Sequence, residues 1–148
     1  MLSVADILEA VIEKEKGSAR VYETAIDKVR DPASRTMLEQ IVGDERAYLK
    51  MLEELKTTGL VDFCPLKAED PKIPEPVEFR DITESSMVGD VLTFSAQRER
   101  LAAYAYSAVA CDVSDPVVRR LFEFLSQEKL KHRHHIEDLY NELVYTED

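Results

Sequence analysis

Hydrophobic positions recur in alternating steps of three and four along the first half of the chain, in two stretches. The first stretch covers residues 4–30, and its apolar or small positions are Val4, Leu8, Val11, Ser18, Tyr22, Ala25 and Val29. The second follows Asp31-Pro32, and its positions are Leu38, Ile41, Leu52 and Leu55. This spacing predicts two amphipathic helices with buried seams. Ser3 with Asp6 predicts a capping box at the first helix, and Asp31-Pro32 predicts an N-cap followed by proline at the second.

The second half of the chain repeats the first at an offset of 84 residues. A third helix is predicted over about residues 86–113, with the seam Val88, Leu92, Ser95, Ala102, Tyr106 and Val109. A fourth is predicted from Asp115-Pro116 onward, with the seam Val118, Phe122, Leu125, Ile136, Leu139 and Leu143. The offset matches Glu15 with Glu99, Tyr22 with Tyr106 and Asp31-Pro32 with Asp115-Pro116. We interpret this repeat as a duplicated helical hairpin.

The two predicted hairpins are joined by a proline-rich segment. Pro65, Pro71, Pro74 and Pro76 are four of the six prolines in the chain, so a long helix is excluded there. A crossover along the side of a bundle explains such a long connection. We therefore expect a single all-α domain over residues 1–148. It would be a four-helix bundle with hairpin 1 at about 4–57, the crossover at about 58–85 and hairpin 2 at about 86–145.

Composition narrows the classes of partner. The net charge of −11 argues against nucleic acid or an anionic membrane as a partner, because both need a basic protein surface. The sequence has no apolar run near the ~20 residues of a membrane span, and its first residues do not resemble a signal peptide. Cys64 and Cys111 form no C-x-x-C pair, so a thiolate metal site of the rubredoxin type is not expected from these residues. We expect a cytoplasmic protein with two reduced thiols.

Six polar side chains interrupt the apolar seams at one predicted level. They are Glu15, Glu45, Tyr48, Glu99, Lys129 and His132. Buried charged groups are costly, so such residues normally pair, become neutral or bind metal. Residues three apart on a helix project from one face. One Glu from each of two helices and a Glu-x-x-His from each of the other two hold a pair of metal ions in carboxylate bundles.

The pattern of these residues resembles the rubrerythrin-like branch of the ferritin-like superfamily along nearly the whole chain. Hairpin 1 carries it as Glu15 with Tyr22 and then Glu45-x-x-Tyr48, and hairpin 2 as Glu99 with Tyr106 and then Lys129-x-x-His132. The resemblance implies a ferritin-like fold in which Glu15, Glu45, Glu99 and His132 are metal ligands. Tyr48 stands where the family has a histidine, and Lys129 where it has a bridging glutamate.

Two functional interpretations follow from the substituted site. The resemblance implies iron, or manganese or zinc, and we expect one ion rather than two because the Lys129 ammonium replaces a bridging carboxylate. The resemblance also implies non-haem iron chemistry with peroxide or dioxygen, or iron handling. In that scheme Lys129 and Tyr48 tune the metal, and an external donor supplies the electrons. The alternative is a metal-free binding or scaffolding bundle whose former site is a network of Lys129, His132 and carboxylates. Leu101 and Leu130 lie off the seams and predict a homodimer face.

Overall fold

The computed structural model describes residues 3–58 and 81–145, the side chains of 144 and 145 excepted. This part of the chain is helical and has no strand. Four helices follow in order: α1 Val4–Lys28, α2 Pro32–Thr58, α3 Val88–Asp112 and α4 Pro116–Tyr145. α1 packs on α2 and α3 on α4. The predicted all-α class and its two helical hairpins are confirmed.

The described residues fall into two compact units. Residues 3–58 and 82–88 form hairpin 1 with the turn before α3, and residue 81 with 89–145 forms hairpin 2. Most of the predicted crossover, with Cys64 and the four prolines, lies outside the described residues. No helix among the described residues combines the length and apolar character needed to cross a membrane.

The caps predicted from the sequence begin three of the helices. The Ser3 hydroxyl accepts a hydrogen bond from the Asp6 amide at 3.1 Å, while the Asp6 carboxylate accepts one from the Ser3 amide at 3.1 Å. The Asp31 carboxylate accepts the Ser34 amide at 3.0 Å, and the Asp115 carboxylate accepts the Val117 amide at 2.9 Å. These bonds satisfy amides that the first turn of a helix leaves without an internal acceptor.

The duplication is visible in the helix boundaries as well as in the sequence. α1 and α3 begin and end 84 residues apart, and so do the starts of α2 and α4. The Arg35 guanidinium donates to the Val29 carbonyl at 3.3 Å, and its counterpart Arg119 donates to the Val113 carbonyl at 2.8 Å. Both hairpins therefore turn with the same local contacts.

The predicted start of α3 was two residues early. Residues 83–86 form a tight turn instead, in which the Ser86 hydroxyl accepts the Thr83 amide at 2.9 Å and the Ser86 amide donates to the Thr83 carbonyl at 3.2 Å. The buried Ser34 hydroxyl donates to the Ser86 carbonyl at 3.1 Å, which fixes this turn on the start of α2. α3 therefore begins after this turn, whose backbone amides and carbonyls already have hydrogen-bond partners.

The cores match most positions of the predicted seams, with one repeated displacement and two errors. Val109 on α3 and Leu143 on α4 were predicted on the buried seams and are 38% and 40% exposed. Leu8, Tyr22, Leu38 and Leu52 are buried in hairpin 1. Ala19 and its counterpart Ala103 are buried, whereas the predicted Ser18 and Ala102 are only half-buried.

Candidate metal site

Hairpin 2 brings three of the predicted site residues together around one carboxylate. Glu99 on α3 and Lys129 on α4 are 4% and 2% exposed, so both are taken out of bulk water. The Lys129 Nζ lies 3.5 Å from Glu99 Oε2. The His132 Nδ1 lies 3.7 Å from the same oxygen, and this imidazole is one quarter exposed. One carboxylate oxygen therefore faces both a cationic amine and a ring nitrogen.

A hydrogen bond between the two helices positions this cluster. The buried Ser126 hydroxyl donates to the Ala103 backbone carbonyl at 2.8 Å. Ala103 lies one turn after Glu99, and Ser126 lies one turn before Lys129, so the bond fixes the level at which the two side chains meet. The small Ala103 side chain permits this close approach. Tyr106 and Phe122 continue the contact with ring centroids 6.1 Å apart.

Hairpin 1 carries the matching set of buried polar side chains. Glu15 on α1 and Glu45 on α2 are each 2% exposed, and Tyr48 and Tyr22 are also buried. Tyr48 lies one turn beyond Glu45, so the two side chains share a face of α2. The sequence pattern thus correctly marked polar residues on the buried side of each helix.

The atoms of hairpin 2 have a spacing that suits a metal ion. Two ligands of one tetrahedral ion, each bonded at about 2.0–2.1 Å, lie roughly 3.3 Å apart. The 3.7 Å between Glu99 Oε2 and His132 Nδ1 needs a shift of only a few tenths of an ångström to reach that value. A carboxylate and an imidazole also suit iron, manganese and zinc. The residues of hairpin 2 therefore fit part of a metal site.

The same geometry fits an ion pair without metal. The 3.5 Å between Lys129 Nζ and Glu99 Oε2 is within salt-bridge range, and an ammonium opposes the approach of a second cation. The positive charge of the ammonium compensates the negative charge of the Glu99 carboxylate.

A second buried ion pair on α4 was not predicted. Arg133 Nε lies 2.8 Å from Glu137 Oε1, and Glu137 is only 4% exposed. The sequence signal was present, because the two residues lie four apart on one helix face. This signal gave no prediction, because neither residue lies on the predicted seam of α4.

Comparison of the chain with models of protein families, with curated proteins and with solved structures gives no match. The rubrerythrin-like resemblance therefore stays a prediction from the quoted residues.

Proposed function

We propose that the chain is a metal-binding helical protein that holds one divalent ion, with Glu99 and His132 as ligands from hairpin 2. The sequence pattern predicts Glu15 and Glu45 of hairpin 1 as further carboxylate ligands. The observation that carries the proposal is the short distance, 3.7 Å, between Glu99 Oε2 on α3 and His132 Nδ1 on α4. Burial strengthens it, because a carboxylate removed from water gains most from a nearby cation.

Lys129 sets the number of ions in this proposal. In a site for two ions, a bridging carboxylate would stand at this position. The ammonium instead neutralises one carboxylate charge by direct contact with Glu99. We therefore expect one ion per chain, with iron first and manganese or zinc as alternatives.

The chemistry that follows is of the non-haem iron type. A bound iron ion would supply one-electron chemistry toward peroxide or dioxygen. Lys129 would hold a proton on Nζ beside the site, and electrons would come from an external donor. The sequence pattern assigns Tyr48 a role in tuning the metal. The iron-loaded protein should consume peroxide when supplied with a chemical reductant, at a rate that falls in the Lys129→Met variant. Absence of peroxide consumption with every metal tested would overturn the oxidoreductase role and leave metal binding standing.

Metal binding itself is tested by titration of chelator-stripped protein with Fe²⁺, Mn²⁺ and Zn²⁺ in a calorimeter. We expect His132→Gln to weaken binding by at least about tenfold, since even residues that only orient metal ligands contribute this much. His134→Gln is the matched control, because His134 lies two residues further along α4 and faces Asp138 at 3.8 Å instead of Glu99. Equal affinity of the parent and the His132→Gln variant would overturn the ligand assignment.

A second candidate is a metal-free binding or scaffolding bundle. The observation that favours it is the contact of Lys129 Nζ with Glu99 Oε2, which needs no ion to neutralise the carboxylate. This candidate predicts no heat of binding for any of the three metals and a thermal midpoint that a strong chelator leaves unchanged. A chelator that lowers the midpoint would contradict it.

A further inference from the structure

One face of α3 exposes apolar and small side chains to solvent over three turns. The run from Leu101 to Cys111 contains no charged residue, although one third of the chain is charged. The exposed members of this run form the α3 outer face: Leu101, Tyr104, Ala105, Ser107, Ala108, Val109 and Cys111. Leu101 and Tyr104 are each 54% exposed. A solvated helix face is normally polar, so this face has the character of an interface.

The duplicated hairpin provides an internal comparison for this face. The counterparts of Tyr104, Ser107 and Cys111, 84 residues earlier, are Arg20, Glu23 and Asp27. Glu23 pairs with Arg46 at 3.3 Å within hairpin 1, which is ordinary surface chemistry. Two copies of one ancestral helix thus differ at the surface in the way expected if only α3 is covered by a partner.

The spacing of the α3 outer face suits a second helix. Leu101, Tyr104, Ala108 and Cys111 follow steps of three, four and three, which is the seam of a two-helix contact. Ala105 and Ala108 are small, so a facing backbone could approach closely. The face is therefore shaped for one helix laid along α3.

The charges at the two ends of the α3 outer face indicate which helix packs on it. The basic Arg98 and Arg100 precede the uncharged run, and the acidic Asp112 follows it. Arg100 lies six residues before Tyr106, and Asp112 lies six residues after it. In an antiparallel pair whose two-fold axis is level with Tyr106, Arg100 of one copy therefore lies level with Asp112 of the other. A parallel copy would align like charges instead. This charge pattern is self-complementary, as a two-fold interface between identical chains requires.

We propose that two copies of the chain pair through the α3 outer face, with their α3 helices antiparallel and the two-fold axis passing near Ala105. The rest of the chain opposes association, since each copy carries a net charge of −11. The uncharged face limits that repulsion where the copies meet. The pairing does not depend on a metal ion.

Analytical ultracentrifugation tests the pairing. We expect the parent to sediment as a dimer of the 16.9 kDa chain. Ala105→Glu places two like charges across the axis and should raise the dimer dissociation constant by roughly tenfold or more. Val21→Glu, the same change at the counterpart position on α1, should leave the constant unchanged. An equimolar mixture of Ala105→Glu and Ala105→Lys chains should form a mixed dimer, because opposite charges then meet at the axis.

Thiol crosslinking tests the antiparallel direction in a Cys64→Ser background. Cys111 lies five residues from Tyr106, so the antiparallel pair separates the two copies of Cys111 by about 15 Å along the axis at 1.5 Å per residue. A short bis-maleimide should then link few chains until Leu101→Cys is added, because residue 101 lies level with the partner's Cys111. Efficient linking through Cys111 alone would overturn the antiparallel arrangement. A parent that stays monomeric at every concentration, or mixed variants that fail to pair, would overturn the dimer.

Discussion

The ion pair between Lys129 and Glu99 supplies a test of how the buried site is held together. Lys129→Met keeps a long apolar side chain and removes the ammonium 3.5 Å from Glu99 Oε2. Both side chains are almost fully buried, so water cannot replace the lost interaction fully. Chelator must be present, so that a bound metal ion does not substitute for the missing charge.

The magnitude follows from distance and burial. Two unit charges 3.5 Å apart attract by about 5 kcal/mol at an effective dielectric constant of about 20. Removal of one partner from a buried pair is observed to cost about 3–5 kcal/mol. We therefore expect Lys129→Met to lower the free energy of unfolding by about 3–5 kcal/mol. The double variant with Glu99→Gln should recover part of this loss, because the carboxylate is then neutral.

Lys131→Met is the matched control on the same helix. Its ammonium lies 2.8 Å from Glu128 Oε1, which is closer than in the buried pair, but its side chain is 46% exposed. Solvent screening limits such a pair to about 0.3–0.5 kcal/mol. Urea unfolding monitored by circular dichroism measures all the variants. A cost below about 1 kcal/mol for Lys129→Met, or equal costs for Lys129 and Lys131, would refute the reasoning that burial dominates over distance.

Two further predictions concern α2 and its contact with α1. Gly43→Ala should raise the free energy of unfolding by about 0.5–1 kcal/mol in the same urea assay, because alanine favours helix and a Cβ there would meet no atom within 4 Å; a loss of stability would contradict this. The hydrogen bond from Lys56 to Glu9 lowers the pKa of Glu9 and raises the pKa of Lys56. The pair's contribution is therefore lost as pH falls through the lowered pKa of Glu9 or rises through the raised pKa of Lys56. Glu9→Gln should flatten the acid side of the stability profile, and an unchanged profile would contradict the assignment.

Helix boundaries were the most predictable part of the fold, because local side chains decide them. Ser3, Asp31 and Asp115 each accept an amide of the first helical turn, and such bonds form between residues two or three apart in sequence. The start of α3 was not predictable in this way. It depends on the contact of Ser86 with Ser34, which lies 52 residues away in sequence.

Most predicted core positions are buried, including the small Ala25 and Ser95, whereas the larger Val109 and Leu143 are exposed. Leu8, Tyr22 and Leu92 identify the seams, but small residues carry little signal, so Ser18 and Ala102 were chosen where Ala19 and Ala103 are buried. The packing around glycine was a second feature that the local sequence did not predict. A glycine inside a helix often marks close packing or a local bulge, yet α2 is continuous and open at Gly43.

The candidate site was predictable in its residues and less so in its contacts. A charged residue on an apolar seam is conspicuous, which is how Glu15, Glu45, Glu99 and Lys129 were found, and all four are buried. The choice of Glu99 as the partner of Lys129 depends on the level at which α3 meets α4, which the Ser126 hydroxyl fixes. The pair of Arg133 and Glu137 escaped prediction for the opposite reason, since neither residue interrupts a seam.

Elemental analysis of metal per chain tests the central claim most directly. The parent and the Lys129→Glu, Tyr48→His double variant should be purified without a tag and compared after exposure to Fe²⁺, Mn²⁺ or Zn²⁺. We predict one bound ion per chain in the parent and two in the variant, because the variant introduces the carboxylate and the second histidine of the Glu-x-x-His pattern for two ions. A parent that binds no ion, whatever the variant binds, would contradict the proposed metal-binding function.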